Sequence, residues 1–119
     1  MKKLLALAVL LSTSTAIAGP KQKNVAIVVY DHMEILDFAG PSEVLAAASR
    51  FAGGGGQPAL NIYLVGRTMK SLKAQGFIDI TPTYSIDNAP RPDFVVIPGG
   101  SDGNLSNDPA MMKWLTAAT

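Results

Sequence analysis

Three runs of mostly apolar residues, rich in branched side chains, divide the sequence at residues 25–30, 60–65 and 93–97. They lack the strict alternation of apolar and polar positions that is typical of a strand with one solvated face. Continuous runs of this length favour parallel strands that are buried on both faces. The pattern therefore predicts a mostly parallel sheet.

Helical spacing connects these runs. Gly40-Pro41 predicts a helix start, because proline at the first helical position loses no hydrogen bond, and Glu43 would lie near the positive end of the helix dipole. The helix is expected to end by Gly53, with one buried apolar stripe consisting of Val44, Leu45, Ala48 and Ala52.

A second helix is predicted from Asp108 as N-cap and Pro109 as first helical residue. Its apolar positions are interpreted as plain core packing: Met111, Met112, Trp114, Leu115 and Ala118.

The connections carry turn signals. Residues 72–74 and 77–80 around Gln75-Gly76 predict a small hairpin. The glycine-rich segment 53–58 runs from a helix towards a strand, whereas a phosphate cradle runs from a strand into a helix, so a flexible linker is favoured. The order strand, helix, strand, hairpin, strand, helix indicates an open α/β sheet with right-handed crossovers. Because this pattern stops after a helix, we expect the first half of a domain, which folds poorly and lacks catalysis by itself.

Residues 1–18 have the sequence pattern of a secretion signal. Met1-Lys2-Lys3 is positively charged, residues 4–11 are apolar, and Ala16-Ile17-Ala18 suits cleavage after Ala18. The apolar run is too short for a membrane anchor. The sequence therefore predicts a periplasmic or secreted protein with no stable membrane anchor after cleavage.

Charge and cysteine content exclude several classes of function. Lys and Arg number 10 against 9 Asp and Glu, which gives no electrostatic footprint for nucleic acid. The chain has no cysteine, so disulfides, cysteine-based zinc sites and a thiol nucleophile are excluded within these residues. No motif indicates a metal or another cofactor, and a small-molecule ligand is the expected partner.

Candidate chemistry falls after the first and third predicted strands, where open α/β sheets bind ligands. Asp37 lies between Leu36 and Phe38; desolvation there would raise its pKa and suit it to proton transfer. An exposed loop carboxylate or a helix N-cap is the alternative for Asp37. Gly99-Gly100 can turn backbone amides towards a developing oxyanion, or can simply form a tight turn.

Two other polar residues of the first loop fit a solvated role better. His32 is the only histidine and could act as a base, but no serine or cysteine partner is placed by spacing. Glu34 is interpreted as a surface residue for the same reason.

Residues 25–45, VAIVVYDHMEILDFAGPSEVL, resemble the opening of ThiJ/PfpI superfamily proteins, especially the isonitrile-hydratase-like and AraC-associated branch. That branch reads Leu-Asp-x-x-Gly-Pro-x-Glu-Val after an apolar strand, as residues 36–44 do here. Residues 80–100 are similar to the second signature of the family. The resemblance covers residues 24–119 with two motifs in the right order.

The resemblance implies an α/β flavodoxin-like three-layer sandwich, of which residues 19–119 are the N-terminal portion. It implies that Asp37 is the proton partner of a cysteine that this sequence lacks, and that the Gly100 amide lines the oxyanion side, with Gly99 and Ser101 beside the substrate. The implied activity is a cysteine-dependent hydratase or hydrolase acting on a small molecule, in a homodimer of the intact protein. The alternative is a ligand-sensing domain without turnover, like that of AraC-type regulators.

Overall fold

The computed structural model describes residues 21–101 and 103–118; for Gly103 and Asn104 only the backbone is described. The predicted secretion signal, residues 1–18, lies outside the described residues. In chain order the elements are β1 Lys23–Val28, α1 Ile35–Ala52, β2 Leu60–Gly66, β3 Leu72–Ala74, β4 Ile78–Ile80, β5 Tyr84–Ser85, β6 Phe94–Val96, α2 Gly103–Ser106 and α3 Pro109–Ala118.

The β-branched runs form a four-stranded, fully parallel sheet in the order β5-β2-β1-β6. β1 is central, pairing with β2 from Lys23 opposite Leu60 and with β6 from Val25 opposite Phe94. Its residues from Val25 onwards are fully buried, as the continuous apolar run predicts. The mostly parallel α/β sheet is therefore confirmed.

β6 differs from the prediction of a strand buried on both faces. It lies at an edge of the sheet, and the side chains of Phe94 and Ile97 are more than half exposed. The two-residue strand β5 and the short helix α2 have no counterpart in the sequence pattern, because neither is long enough to show a period.

The hairpin is confirmed: β3 and β4 pair antiparallel, with Ala74 opposite Ile78. Gln75 and Gly76 form its turn, and both have positive φ. The segment 53–58 connects α1 to β2 as a loop, again as predicted.

The predicted start of the first helix is wrong. α1 begins at Ile35, and Pro41 lies inside it. Proline cannot donate to the carbonyl of the residue four positions earlier, here Asp37, and this local loss is outweighed by extending the helix through the first loop. The hydroxyl of Ser42 donates to the Phe38 carbonyl one turn back. Glu43 therefore lies well inside the helix rather than near its positive end.

The predicted buried stripe of α1 is also wrong. Val44 is 67% exposed and Ala48 and Ala52 are exposed, whereas Leu45 is half-buried. The fully buried residue of α1 is Ser49, whose hydroxyl accepts the amide of Leu60 at 2.8 Å. A serine that accepts a hydrogen bond from the first residue of β2 is therefore buried, whereas the prediction placed apolar side chains in the interior.

The second predicted helix start is confirmed. One oxygen of Asp108, Oδ1, accepts the amides of Ala110 at 3.0 Å and Met111 at 3.1 Å, which caps α3. Met111 and Leu115 are buried in the main apolar cluster, and Trp114 packs at its edge. Met112 is 41% exposed, so core packing is confirmed for only part of the apolar set predicted for this helix. Within the described ranges, no helix is long and apolar enough to cross a membrane.

Candidate functional site

The loop after β1 and the turn after β6 meet at the carboxyl edge of the sheet. Met33 forms an antiparallel bridge with Gly100. Two backbone hydrogen bonds flank it: Glu34 donates to the Gly99 carbonyl at 2.8 Å, and Ser101 donates to the His32 carbonyl at 3.2 Å. The two segments predicted to carry chemistry are therefore joined directly through their backbones.

This junction requires glycine at position 100. Gly100 has φ +145°, a conformation that residues with a side chain rarely adopt. A Cβ there would lie 2.6 Å from both the His32 carbonyl oxygen and the Met33 Cα. Close approach of two backbones is thus the physical reason for the second glycine.

Asp37 lies in the first turn of α1, and its side chain faces the Gly99-Gly100 turn. Its Oδ2 accepts the amide of Gly99 at 3.0 Å. A Cβ on residue 99 would lie 2.8 Å from that oxygen, so the first glycine makes room for the carboxylate. The sequence-predicted pair of an acid and a glycine turn is therefore brought together.

The environment of Asp37 fits the alternative of an exposed carboxylate, although the residue lies in the first turn of α1 rather than in a loop. Its side chain is exposed. Of its two apolar neighbours, Leu36 is 78% exposed and Phe38 is half-buried. The desolvation expected from its apolar neighbours is thus not observed. Orientation by the Gly99 amide, rather than burial, distinguishes this carboxylate from an ordinary surface acid. Its role in proton transfer stays a prediction.

The remaining predicted groups occupy the rim. Across residues 21–101 and 103–118, the amide of Gly100 donates no hydrogen bond, and its assignment to the oxyanion side stays a prediction. Ser101 is exposed, as are His32 and Glu34. The Gln75 side-chain amide donates to the Glu34 carboxylate.

The β3–β4 hairpin also holds the first loop, which sequence reasoning missed. His32 donates its amide to the Lys73 carbonyl at 2.8 Å, and Gln75 donates its amide to the Met33 carbonyl at 3.1 Å. His32 and Gln75 are the non-glycine residues with positive φ in the described chain, with values of 62° and 45°. Strain of this kind collects at functional sites. The Gln75-Gly76 turn signal predicts the hairpin itself, but no local sequence signal indicates that the hairpin binds the first loop.

Sequence reasoning also missed the role of the Tyr30 hydroxyl, because it treated Tyr30 only as part of the first strand. Its buried hydroxyl donates to the Pro98 carbonyl at 2.7 Å and so fixes the start of the glycine turn. A tyrosine at the end of an apolar run is the available signal, since a buried hydroxyl needs a partner. The described residues contain no cluster of His, Cys, Asp and Glu able to hold a metal ion.

No protein-family model and no curated protein matches the sequence. Solved structures do match. A ThiJ/PfpI family protein from Pseudomonas syringae superposes with a TM-score of 0.64 at 21% identity, covering 92% of this chain and 43% of that one.

The chain has the fold of ThiJ/PfpI proteins. A DJ-1 superfamily protein from Salmonella typhimurium, solved as a cysteine-to-alanine mutant, matches with a TM-score of 0.60 at 16% identity over 82% of this chain and 50% of that one. An AraC family transcriptional regulator from Pseudomonas putida matches with a TM-score of 0.61 at 13% identity over 80% and 57%. The same fold thus occurs in both a DJ-1 superfamily protein and an AraC family regulator. This chain spans about half the length of these structures.

Proposed function

We propose that this chain supplies the acid and amide side of a small-molecule site in an exported ThiJ/PfpI-type protein. The observation that carries the proposal is the hydrogen bond from the Gly99 amide to the Asp37 carboxylate at 3.0 Å. It aims an exposed carboxylate at a glycine turn on the carboxyl edge of a parallel sheet, which is where open α/β sheets bind ligands.

The proposed activity is cysteine-dependent hydration or hydrolysis of a small polar substrate, such as an isonitrile or an amide. The thiolate comes from outside the 119 residues, since they contain no cysteine. With an amide, the thiolate adds to the carbonyl carbon, Asp37 passes the thiol proton to the departing amine, and water hydrolyses the resulting thioester to the acid and the free thiol. With an isonitrile, the thiolate and the proton relayed by Asp37 both add to the terminal carbon, and water then adds to the C=N bond and expels the thiol to leave a formamide. The Gly100 amide stabilises negative charge that develops during the addition.

Export is the proposal with sequence support alone. The charged start, the short apolar run and the small residues before Gly19 fit a cleaved secretion signal. The N-terminal sequence of the protein recovered from a periplasmic fraction tests it, and a chain that still begins at Met1 there would overturn it.

The activity is tested on the intact protein with Asp37→Asn, because asparagine keeps an oxygen for the Gly99 amide and loses proton transfer. We expect turnover of an isonitrile or small amide to fall by about 100-fold or more. Asp79→Asn is the matched control, since Asp79 is exposed and pairs with Lys73 in the hairpin. Equal turnover in Asp37→Asn and wild type would contradict the assignment.

The second candidate is a ligand-binding module without turnover, favoured by the likeness in fold to an AraC family regulator. A secretion signal weighs against a role on DNA, so the module would sense its ligand outside the cytoplasm. Ligand binding by the intact protein without any thiol-dependent turnover would favour this candidate over the enzyme.

A further inference from the structure

A cavity separate from Asp37 lies at the carboxyl ends of β1 and β2. It has a volume of about 360 Å³ and opens between the β2–β3 connection and the start of α3. This volume is within the range of small-ligand pockets, about 300–1,000 Å³. Neither Asp37 nor the Gly99-Gly100 turn lines it.

The floor of the cavity is apolar. Met111 and Val29 are fully buried there, and Leu72 and Leu105 are partly buried. A ligand that reaches this floor gains by covering the apolar surface that the partly buried Leu72 and Leu105 leave accessible. A bare inorganic ion would leave that contribution unused.

The two carboxylates at the rim are fixed by backbone amides. Asp108 caps α3 through Oδ1, and its Oδ2 lies 3.5 Å from the Arg67 Nε. Asp31 accepts the Lys73 amide on Oδ1 at 2.8 Å. These acids are therefore held in place, and their negative charge disfavours a ligand with two or more negative charges.

The two cations at the rim, Arg67 and Lys70, have fewer partners than the two acids. Arg67 is 48% exposed, and its ion pair uses one of the five guanidinium N–H donors at a long distance. In the part of the chain that the structure describes, the ammonium of Lys70 forms no ion pair. Both cations line the same cavity. A planar guanidinium with donors to spare matches a single carboxylate in a bidentate geometry.

We propose that this cavity binds a small organic monocarboxylate. Its carboxylate lies between Arg67 and Lys70, and its short apolar chain lies on the side chains of Leu72 and Leu105. The site is independent of the proposed chemistry at Asp37. Tyr30 and Leu105 line both this cavity and the apolar space beside the glycine turn, so the two sites are neighbours.

Calorimetric titration of the intact protein with sodium butanoate tests this proposal, with 1-butanol and inorganic phosphate as comparison probes. We expect butanoate to bind and 1-butanol not to bind. Lys70→Gln is expected to weaken butanoate binding at least tenfold without disturbing the α3 cap, and Arg67→Gln at least as strongly. Lys113→Gln, an exposed lysine of α3 outside the cavity, is the matched control.

Three results would overturn the proposal. They are no binding of butanoate, tighter binding of phosphate than of butanoate, and unchanged butanoate affinity in both Lys70→Gln and Arg67→Gln. Asp37→Asn is expected to retain butanoate binding in full. Loss of binding in that variant would place the carboxylate at the glycine turn and would also overturn the proposal.

Discussion

The two ends of the parallel sheet are held together in different ways. At the carboxyl end, backbones contact one another directly, as in the bridge between Met33 and Gly100, and His32 has positive φ. At the amino end, an exposed side chain adds to the backbone hydrogen bond from Asp93 to Asn24: the Asp93 carboxylate accepts from the Lys23 ammonium and the Asn24 amide, each at 2.8 Å. Close backbone contacts tolerate few substitutions, whereas exposed side-chain contacts can be lost at small cost. The carboxyl end is therefore the more constrained one.

The largest expected effect is at the carboxyl end, from Gly100→Ala. The new Cβ would meet the His32 carbonyl oxygen at 2.6 Å in a backbone conformation unfavourable for alanine. We expect the free energy of unfolding to fall by about 3 kcal/mol. Urea denaturation of the intact protein, followed by circular dichroism, measures it.

Gly55→Ala is the control for Gly100→Ala, because Gly55 also has positive φ but a Cβ there has nothing within 4 Å. This glycine is in the loop between α1 and β2, near the amino end, and we expect a loss of about 1 kcal/mol from the backbone conformation alone. Equal losses in the two variants would show that close contact does not distinguish the ends.

Tyr30→Phe is expected to have an intermediate effect. It removes the hydroxyl that donates to the Pro98 carbonyl and leaves that acceptor buried without its partner. The free energy of unfolding should fall by about 1–2 kcal/mol. Tyr84→Phe, at a half-buried ring that packs edge-on against Tyr63, is the comparison. A smaller loss for Tyr30→Phe than for Tyr84→Phe would contradict this role.

The smallest expected effect is at the amino end, from Asp93→Asn. The Lys23 ammonium, followed by the Asn24 amide, holds the pKa of the Asp93 carboxyl below its usual range. A carboxyl with a lowered pKa in the folded state stabilises that state above its unfolded pKa, and this contribution is lost as the pH falls through the folded pKa. The group is exposed, so the melting temperature at neutral pH should fall by a few degrees at most.

The pH dependence distinguishes Asp93 from other exposed acids. Thermal melts of wild type and Asp93→Asn should differ at neutral pH and converge in acid, where the wild-type carboxyl is also uncharged. Asp87→Asn, in an exposed turn, is the control, and its melting temperature at neutral pH should equal that of wild type. A constant gap between wild type and Asp93→Asn at all pH values would contradict the charge explanation.

What the sequence predicts well depends on local chemistry. The start of α3 follows from Asp108 and Pro109, because capping is decided within one helical turn. Gly40-Pro41 gave the wrong start for α1, since the same dipeptide is tolerated inside a helix whose first turn is fixed by contacts with a distant segment. Burial of individual α1 residues likewise depends on what the sheet covers, so the exposure of Val44 has no local signal.

The same distinction applies to the candidate site. The meeting of Asp37 with Gly99 follows from two motifs and from the rule that ligands bind at the carboxyl ends of parallel strands. The sequence left the exposure of Asp37 open between a desolvated and an exposed carboxylate, and the exposed alternative is observed because its apolar neighbour Leu36 lies in solvent. The cavity between Arg67 and Lys70 also lacked a signal, since its floor comes from four separate parts of the chain.

The bond between Asp37 and Gly99 joins residues 62 positions apart in the sequence. Contacts of such long range are unfavourable to close before the intervening chain is ordered, because the entropy lost in closing the loop is regained only from the strands between them. The acid and the glycine turn therefore come into register only when β6 pairs with β1. Correct geometry at this edge is consequently a sensitive indicator that the whole parallel sheet has folded.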